Sequence, residues 1–399
     1  MVPEAVAAYS KTLELVGNPS SIHRHGQHAK RLLEEARERV ASSLGADSRE
    51  IVFTSGGTEG INLAVKGLYW ARNDDHRARI VVADGEHHAT VDAVNWLVRS
   101  EHAVCEAIPL DEWGRARLAV AAEIFSHSPR SIALTSFLWA NNEVGSVQPV
   151  IGLATLAAEH GIPVHVDAVA AYGHVPIRFR DVAEAGVNAL TVSAHKIGGP
   201  VGIGALVLAR ETTVVPLFHG GGQQRQVRSG TQNVAGAVAF AAAAELAVAR
   251  LDDESVRLSA LRDRLIREVL AIPGSKLSGP VPASITGLGY PATATRLVSN
   301  THFTFEGCEG DSLLLLLDAA GISVSTGSAC QAGVPEPSHV LRAMGRTEKE
   351  ARGSLRFSLG HSSTDDDVDA LMAVLPGAVQ RAMRAGYSNR NVSNSTPAL

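Results

Sequence analysis

The chain has 399 residues, of which 45% are hydrophobic and 19% charged, with 41 acidic side chains against 36 basic ones and a formal net charge of −5. That length exceeds what one core usually serves, so two domains are expected. Slight acidity and scattered Lys and Arg exclude the electrostatic footprint of a nucleic-acid binder.

From Gln27 to Leu44 apolar and alanine positions recur at helical spacing among Glu and Arg, and Gly45 closes the pattern, which predicts an amphipathic helix. Short β-branched runs then alternate with helical stretches: "EIVFTS", "RIVVAD", "SIALTSF", "IPVHVDA", "ALTVSA" and "IGALVLA". Such alternation predicts an α/β fold with a mostly parallel central sheet flanked by helices. After an alanine-rich helix from Val234 to Leu251 the style changes. A long helix (Ser255 to Ile272), the runs "NTHFTFEG" and "ISVST", and a helix opened by "TDDDVDAL" predict a smaller α+β domain. The expected division is a large domain over 16–250, a small one built from 1–15 and 251–385, and a disordered tail over 386–399, where "GYSNRNVSNSTPAL" is mostly polar.

The cysteines at 105, 308 and 330 are too few and too irregular for a disulfide framework or a CxxC metal site, which predicts a reducing compartment, the cytoplasm by default. No basic start precedes an apolar core at the amino end, and the run from Leu313 to Leu317 is too short to span a bilayer, so no membrane association is expected. Cys330 lies in "STGSACQAG", among small residues. That setting suits a reactive thiol on a loop, and a buried cysteine at a strand end is the alternative.

Ligands of parallel sheets sit outside the carboxyl ends of the strands. After "EIVFTS" comes "GGTEG", where glycines and a helix start with Thr58 form a candidate phosphate cradle, although a plain structural connection reads the same way. "IPVHVDA" ends on Asp167 and "ALTVSAHK" on His195 and Lys196. A phosphate cradle, a carboxylate and a lysine together suit pyridoxal phosphate: the lysine holds the aldehyde as a Schiff base and the carboxylate keeps the pyridine nitrogen protonated. A solvated lysine is the rival reading of Lys196. His87 and His88 follow "VVADGE", and a flat imidazole there could stack on the ring; adjacent histidines point apart, and no third ligand is spaced to complete a zinc site.

Together "GNPSSIHRHGQ", "FTSGGTE", "EHHA", "WANNEVGSVQP", "HVDAV", "SAHKIGGPVGIGAL", "HGGGQQRQVRSGTQN", "STGSAC", "PSHVL" and "GSLRFSLG" resemble, in order, the cysteine desulfurases of the class V aminotransferase group, pyridoxal-phosphate fold type I. The resemblance runs from about Pro3 to about Val374, and "GSAC" resembles the branch that serves iron–sulfur clusters and tRNA thiolation. It implies that Lys196 holds the cofactor, Asp167 pairs with the pyridine nitrogen and His87 stacks on the ring and assists proton transfers. Gly57, Thr58, Ser193 and His195 would bind the phosphate, joined by Thr231 of a second subunit in a homodimer. Asn142 and Arg356 would grip the carboxylate of L-cysteine, and Cys330 would take its sulfur as a persulfide, leaving L-alanine.

The implied partners are sulfur-acceptor proteins, an iron–sulfur scaffold or a tRNA-thiolating enzyme, with no direct nucleic-acid contact. No resident metal is implied; Cys330 would at most touch a cluster on a partner. A selenocysteine lyase and a non-catalytic docking subunit are the rival readings. Several positions depart from the family pattern. Members usually open with an "NAATTP"-like segment that Met1 falls past, as a start chosen too late would leave it. Ala170 stands where a glutamine commonly donates to the cofactor's phenolic oxygen. Ile61 replaces an aspartate, Gln224 and Gln232 replace glutamates, and His361 replaces an arginine.

Overall fold

The computed structural model describes residues 1–72, 77–285, 296–326 and 336–393. The chain divides into two compact units. The first comprises 1–109, 116–140 and 148–251, and the second 110–115, 141–147 and 252–399.

In the first unit, seven strands form one sheet: β1 (Ile51–Thr54), β2 (Arg79–Ala83), β3 (Val104–Ile108), β4 (Ile132–Leu138), β5 (Val164–Asp167), β6 (Val187–Ser193) and β7 (Gly204–Leu208). Their order is β1-β7-β6-β5-β4-β2-β3. β6, β5, β4, β2 and β3 pair in parallel, while β7 runs antiparallel to both β1 and β6. The central strands β4 and β5 are buried along their whole length, as β-branched and apolar runs covered on both faces must be. Eight helices accompany the sheet: α1 (Pro3–Leu13), α2 (Arg24–Ser43), α3 (Gly57–Arg72), α4 (His88–Glu101), α5 (Leu118–Ser126), α6 (Val150–Ala158), α7 (Phe179–Glu184) and α8 (Val234–Ala249). Because the sheet is parallel, β4, β5 and β6 deliver Leu138, Asp167 and Ser193 to one edge.

Two sequence expectations are corrected here. Residues 1–15 belong to the large unit, because Val2 and Ala5 pack on Ala239 and Ala243 of α8, and the Val2 amide donates to the Gly198 carbonyl at 2.8 Å. Alanines on both helices allow that close approach. Asn142, expected in the large domain, lies on the 141–147 segment that folds with the small unit.

The second unit holds α9 (Leu251–Leu270), β8 (Ser275–Ser278), β9 (Asn300–Phe305), α10 (Gly310–Asp318), α11 (His339–Ala343), α12 (Glu348–Arg352), β10 (Ser354–Ser358) and α13 (Asp365–Ser393). Its antiparallel sheet has the order β10-β9-β8. Alternation sends Phe303, Phe305, Leu355 and Phe357 into a core with Leu261 and Leu265 of α9 and Leu375 of α13, leaving Asn300, His302 and Arg356 on the other face. Phe303 and Phe357 meet edge to face at 5.9 Å between ring centroids. Phe303→Ala is therefore expected to destabilise the protein by about 3–5 kcal/mol, seen as an earlier denaturant midpoint for the unit, and a change under about 1 kcal/mol would contradict this packing. α13 continues to Ser393, so the backbone of 386–393 is helical where a disordered tail was expected. Among the described residues no single helix is long and apolar enough to cross a membrane.

Candidate active site

The loop after β1 turns tightly into α3. Gly56 adopts φ +153°, a conformation side-chain-bearing residues rarely take, and a Cβ on Gly57 would come within 2.7 Å of Val169 Cγ2. The amino end of α3 thereby packs against the segment that follows Asp167. Thr58 is exposed in the first helical turn. Beside it, Glu59 holds Arg228 through Nε at 2.8 Å. Burial would raise the Glu59 pKa, yet Arg228 and the Ser55 hydrogen bonds hold it below the ordinary value.

Ser193, at the end of β6, is fully buried, and its Oγ shares a hydrogen bond with His195 Nδ1 at 2.8 Å. A Cβ on Gly57 would lie 3.7 Å from Ser193 Cβ, so Gly57, Thr58, Ser193 and His195 meet at one corner of the sheet. His195 and Lys196 ride on a single turn of 3-10 helix, Ala194–Ile197, with both side chains exposed. Burial and the Lys196 charge push the His195 pKa down.

Asp167 is buried, with Oδ1 accepting the Val169 amide at 2.9 Å. Burial raises its pKa to about 6, against the opposing pull of that amide and of Lys196. A carboxylate this buried is relieved by a cationic N–H partner, which is what a protonated pyridine nitrogen offers. His87 caps α4: its Nδ1 accepts the Ala89 amide at 3.1 Å. Nδ1 is thus an acceptor, and the neutral ring carries its proton on Nε2. The glycine turn, Ser193 and Asp167 fit the phosphate and ring nitrogen of pyridoxal phosphate. Thr231 is exposed on the segment before α8.

Two buried groups escaped the sequence reading. Glu86, which precedes His87, accepts the Leu138 amide at 2.9 Å, and its pKa is raised by burial and by the nearby Asp167 charge. His165 bridges three strands, through Nδ1 to Ser136 Oγ at 2.8 Å and Nε2 to Thr191 Oγ1 at 2.9 Å. Burial lowers its pKa to about 3, so it is neutral, and it braces β4, β5 and β6 one side-chain step before Asp167. The sequence signal for His165 was its place two residues before Asp167, hence on the same face.

The two glutamine departures are paired. Gln224 accepts the Arg37 guanidinium at 2.6 Å, and its amide group donates to Gln232 Oε1. Two carboxylates could not share that bond without a proton.

In the small unit, Arg356 on β10 donates from Nη1 to the Asn142 carbonyl at 3.0 Å. Its Nε is buried and has no hydrogen-bond partner among the described residues. Asn142 thus meets Arg356 through its backbone. Cys330 lies outside the described residues.

The chain matches the "Aminotransferase class-V" family over residues 1–371. It is 50% identical over 395 residues to an "IscS-like cysteine desulfurase" of Mycobacterium tuberculosis, covering 98% of this chain and 97% of that one. "Cysteine desulfurase IscS" of Methanosarcina thermophila is 41% identical, over 99% of this chain and 91% of the other. Among solved structures, a "NifS-like protein" superposes with a TM-score of 0.84 at 30% identity, covering 95% and 96% of the two chains. With this match spanning both units, the chain belongs to the class V aminotransferase family, among its pyridoxal-phosphate-dependent cysteine desulfurases.

Proposed function

We propose that this cysteine desulfurase converts L-cysteine to L-alanine by moving the sulfur onto Cys330, from which acceptor proteins collect it. The observation that carries the reading is the meeting of Lys196, the buried Asp167 and the Gly57 and Ser193 corner at the carboxyl ends of β5 and β6. Bound pyridoxal phosphate supplies the electron sink for the carbanion at the substrate α-carbon.

Lys196 is the residue that would hold pyridoxal phosphate, and its Nζ is the base that would move a proton at the substrate α-carbon. Asp167 would pair with the ring nitrogen of the bound cofactor and favour its protonated form. The α3 amides with Thr58, Ser193 and His195 hold the phosphate, helped by the positive end of the helix. His87 would stack on the ring and assist proton transfers, its Nδ1 already accepting the Ala89 amide. Arg356 offers its fork to the substrate carboxylate, with Asn142 beside it. Cys330, as thiolate, attacks the substrate sulfur; the new S–S bond forms as the C–S bond breaks, and its electron pair stays with the carbon that becomes the alanine methyl group.

The exposure of Thr231 supports a homodimer in which it reaches the partner's phosphate. An iron–sulfur scaffold or a tRNA-thiolating enzyme fits the role of acceptor. The test is alanine release by the holoenzyme from L-cysteine with a reductant, beside L-selenocysteine. Alanine from L-cysteine is expected, and alanine from L-selenocysteine alone would replace the reading with a selenocysteine lyase. Ala170 offers no donor to the phenolic oxygen of the cofactor. Ala170→Gln is therefore expected to move the pH midpoint of the cofactor's visible absorption down by about one unit, since a hydrogen bond favours the deprotonated oxygen. An unmoved midpoint would contradict that placement.

A further inference from the structure

The small unit buries a carboxylate that the mechanism above does not use. Glu143 is 4% exposed and follows Asn142 in a turn that its neighbours hold closely. Asn141 Oδ1 accepts the amides of Glu143 and Val144 at 2.9 and 3.0 Å. Asn300 Nδ2 donates to the carbonyls of Asn142 and Glu143 at 3.0 and 2.8 Å. The Arg356 guanidinium donates to the same Asn142 carbonyl. On its other side Glu143 Oε2 accepts a hydrogen bond of 2.6 Å from Ser338 Oγ, which in turn accepts the Leu341 amide at the start of α11.

Ser338 follows Cys330 in the chain. Ser325 precedes it and is bridged to Arg356 through both backbone bonds, at 2.6 and 3.2 Å. Both flanks of the 327–335 segment are therefore tied to Arg356, one directly and one through Glu143. Ser338 could cap α11 without a carboxylate beside it, and an apolar residue would be the less costly occupant of a site this buried. The carboxylate is offset by its Ser338 hydrogen bond and by the Arg356 charge, so it links the two.

We infer that Glu143 is a positioning residue: through Ser338 it fixes the chain that follows Cys330 to the turn that holds the Arg356 guanidinium. The inference rests on the reading of Cys330 as sulfur acceptor and Arg356 as carboxylate grip. Displacing a reacting group by about an ångström costs on the order of 100-fold in rate, and losing a supporting contact about 10- to 100-fold. Removing Glu143 is thus expected to act on the step that uses Cys330 while substrate binding persists.

The test compares holoenzyme variants Glu143→Leu, Glu143→Gln, Ser338→Ala and Ser338→Thr. Glu143→Leu should lower kcat for alanine about 10- to 100-fold. The L-cysteine concentration that half-saturates the cofactor's absorption change should not rise by more than about threefold, because Arg356 keeps the Asn142 carbonyl and loses only the Glu143 charge that competes with the substrate carboxylate. Glu143→Gln keeps an acceptor for Ser338 and should recover kcat to within about threefold of the parent. A second readout needs no turnover: the rate at which iodoacetamide alkylates Cys330, followed by peptide mass, should change in Glu143→Leu and return in Glu143→Gln.

Should Glu143→Leu fail to fold, Ser338→Ala decides, with the same split expected and Ser338→Thr restoring it. Parental kcat and parental alkylation in the folded variant that removes the bond would overturn the inference. So would a fall in kcat matched by an equal loss of half-saturation. If the parent itself makes no alanine from L-cysteine, the desulfurase reading fails first, and the alkylation rates still judge the tie between Glu143 and Ser338.

Discussion

Lys196→Ala is expected to lose alanine formation by at least about 10³-fold and to lose the visible band of covalently held cofactor. The side chain is exposed on its turn, and the turn is held by the backbone. The Gly199 amide bonds the Ala194 carbonyl at 2.8 Å, the Ala194 amide bonds Ile203 at 3.2 Å, and Gly198 takes φ +79°. The turn's backbone bonds do not need the amine, so the variant is expected to fold, with a melting temperature lowered by the loss of the Lys196 charge that favours the buried Asp167 carboxylate. One amine serves two tasks, holding the cofactor and moving the α-proton, so the effects of its loss do not separate into independent parts. A variant that keeps a tenth of parental turnover would show that another base serves the α-carbon.

Cys330→Ala should stop alanine turnover to a similar extent while L-cysteine still changes the cofactor's absorption. Neither of the other thiols can take over. Cys308 is buried in the small unit's core, and burial pushes its pKa up to about 11, so almost none is thiolate at neutral pH. Cys105 lies on the exposed edge strand β3, where partial cover of its sulfur and the charges of Asp84 and Glu106 raise its pKa as well. Cys105→Ser should accordingly behave as the parent. Loss of turnover in Cys105→Ser, or its survival in Cys330→Ala, would contradict the assignment.

The six runs read as strands correspond to β1, β2, β4, β5, β6 and β7. Each is buried on both faces, and such strands write themselves as continuous apolar text. β3 was not legible. "VCEAI" sits at the sheet edge with three of its five side chains exposed, so little selects its composition toward strand. "ISVST" was expected as a strand and forms only an isolated bridge at Ser325, pairing with Arg356.

The placement of candidate residues was legible at the carboxyl ends of strands: Asp167 and Ser193 close β5 and β6, and His195 and Lys196 follow β6. Glu86, His165 and Glu143 were not legible, because their partners at Leu138, Thr191 and Ser338 are distant in the chain and no local pattern announces such bonds. The folding of 141–147 with the small unit was hidden for the same reason: the turn is held by Asn300, far along the chain.

The central claim is that sulfur leaves L-cysteine for Cys330. One measurement addresses it directly: holoenzyme mixed with one equivalent of L-cysteine and no reductant, then quenched, with alanine counted and the cysteine-bearing peptides weighed. The predicted result is one alanine per enzyme and one added sulfur atom on the peptide that carries Cys330, with those of Cys105 and Cys308 unchanged. Alanine accompanied by free sulfide and an unmodified Cys330 peptide would contradict it.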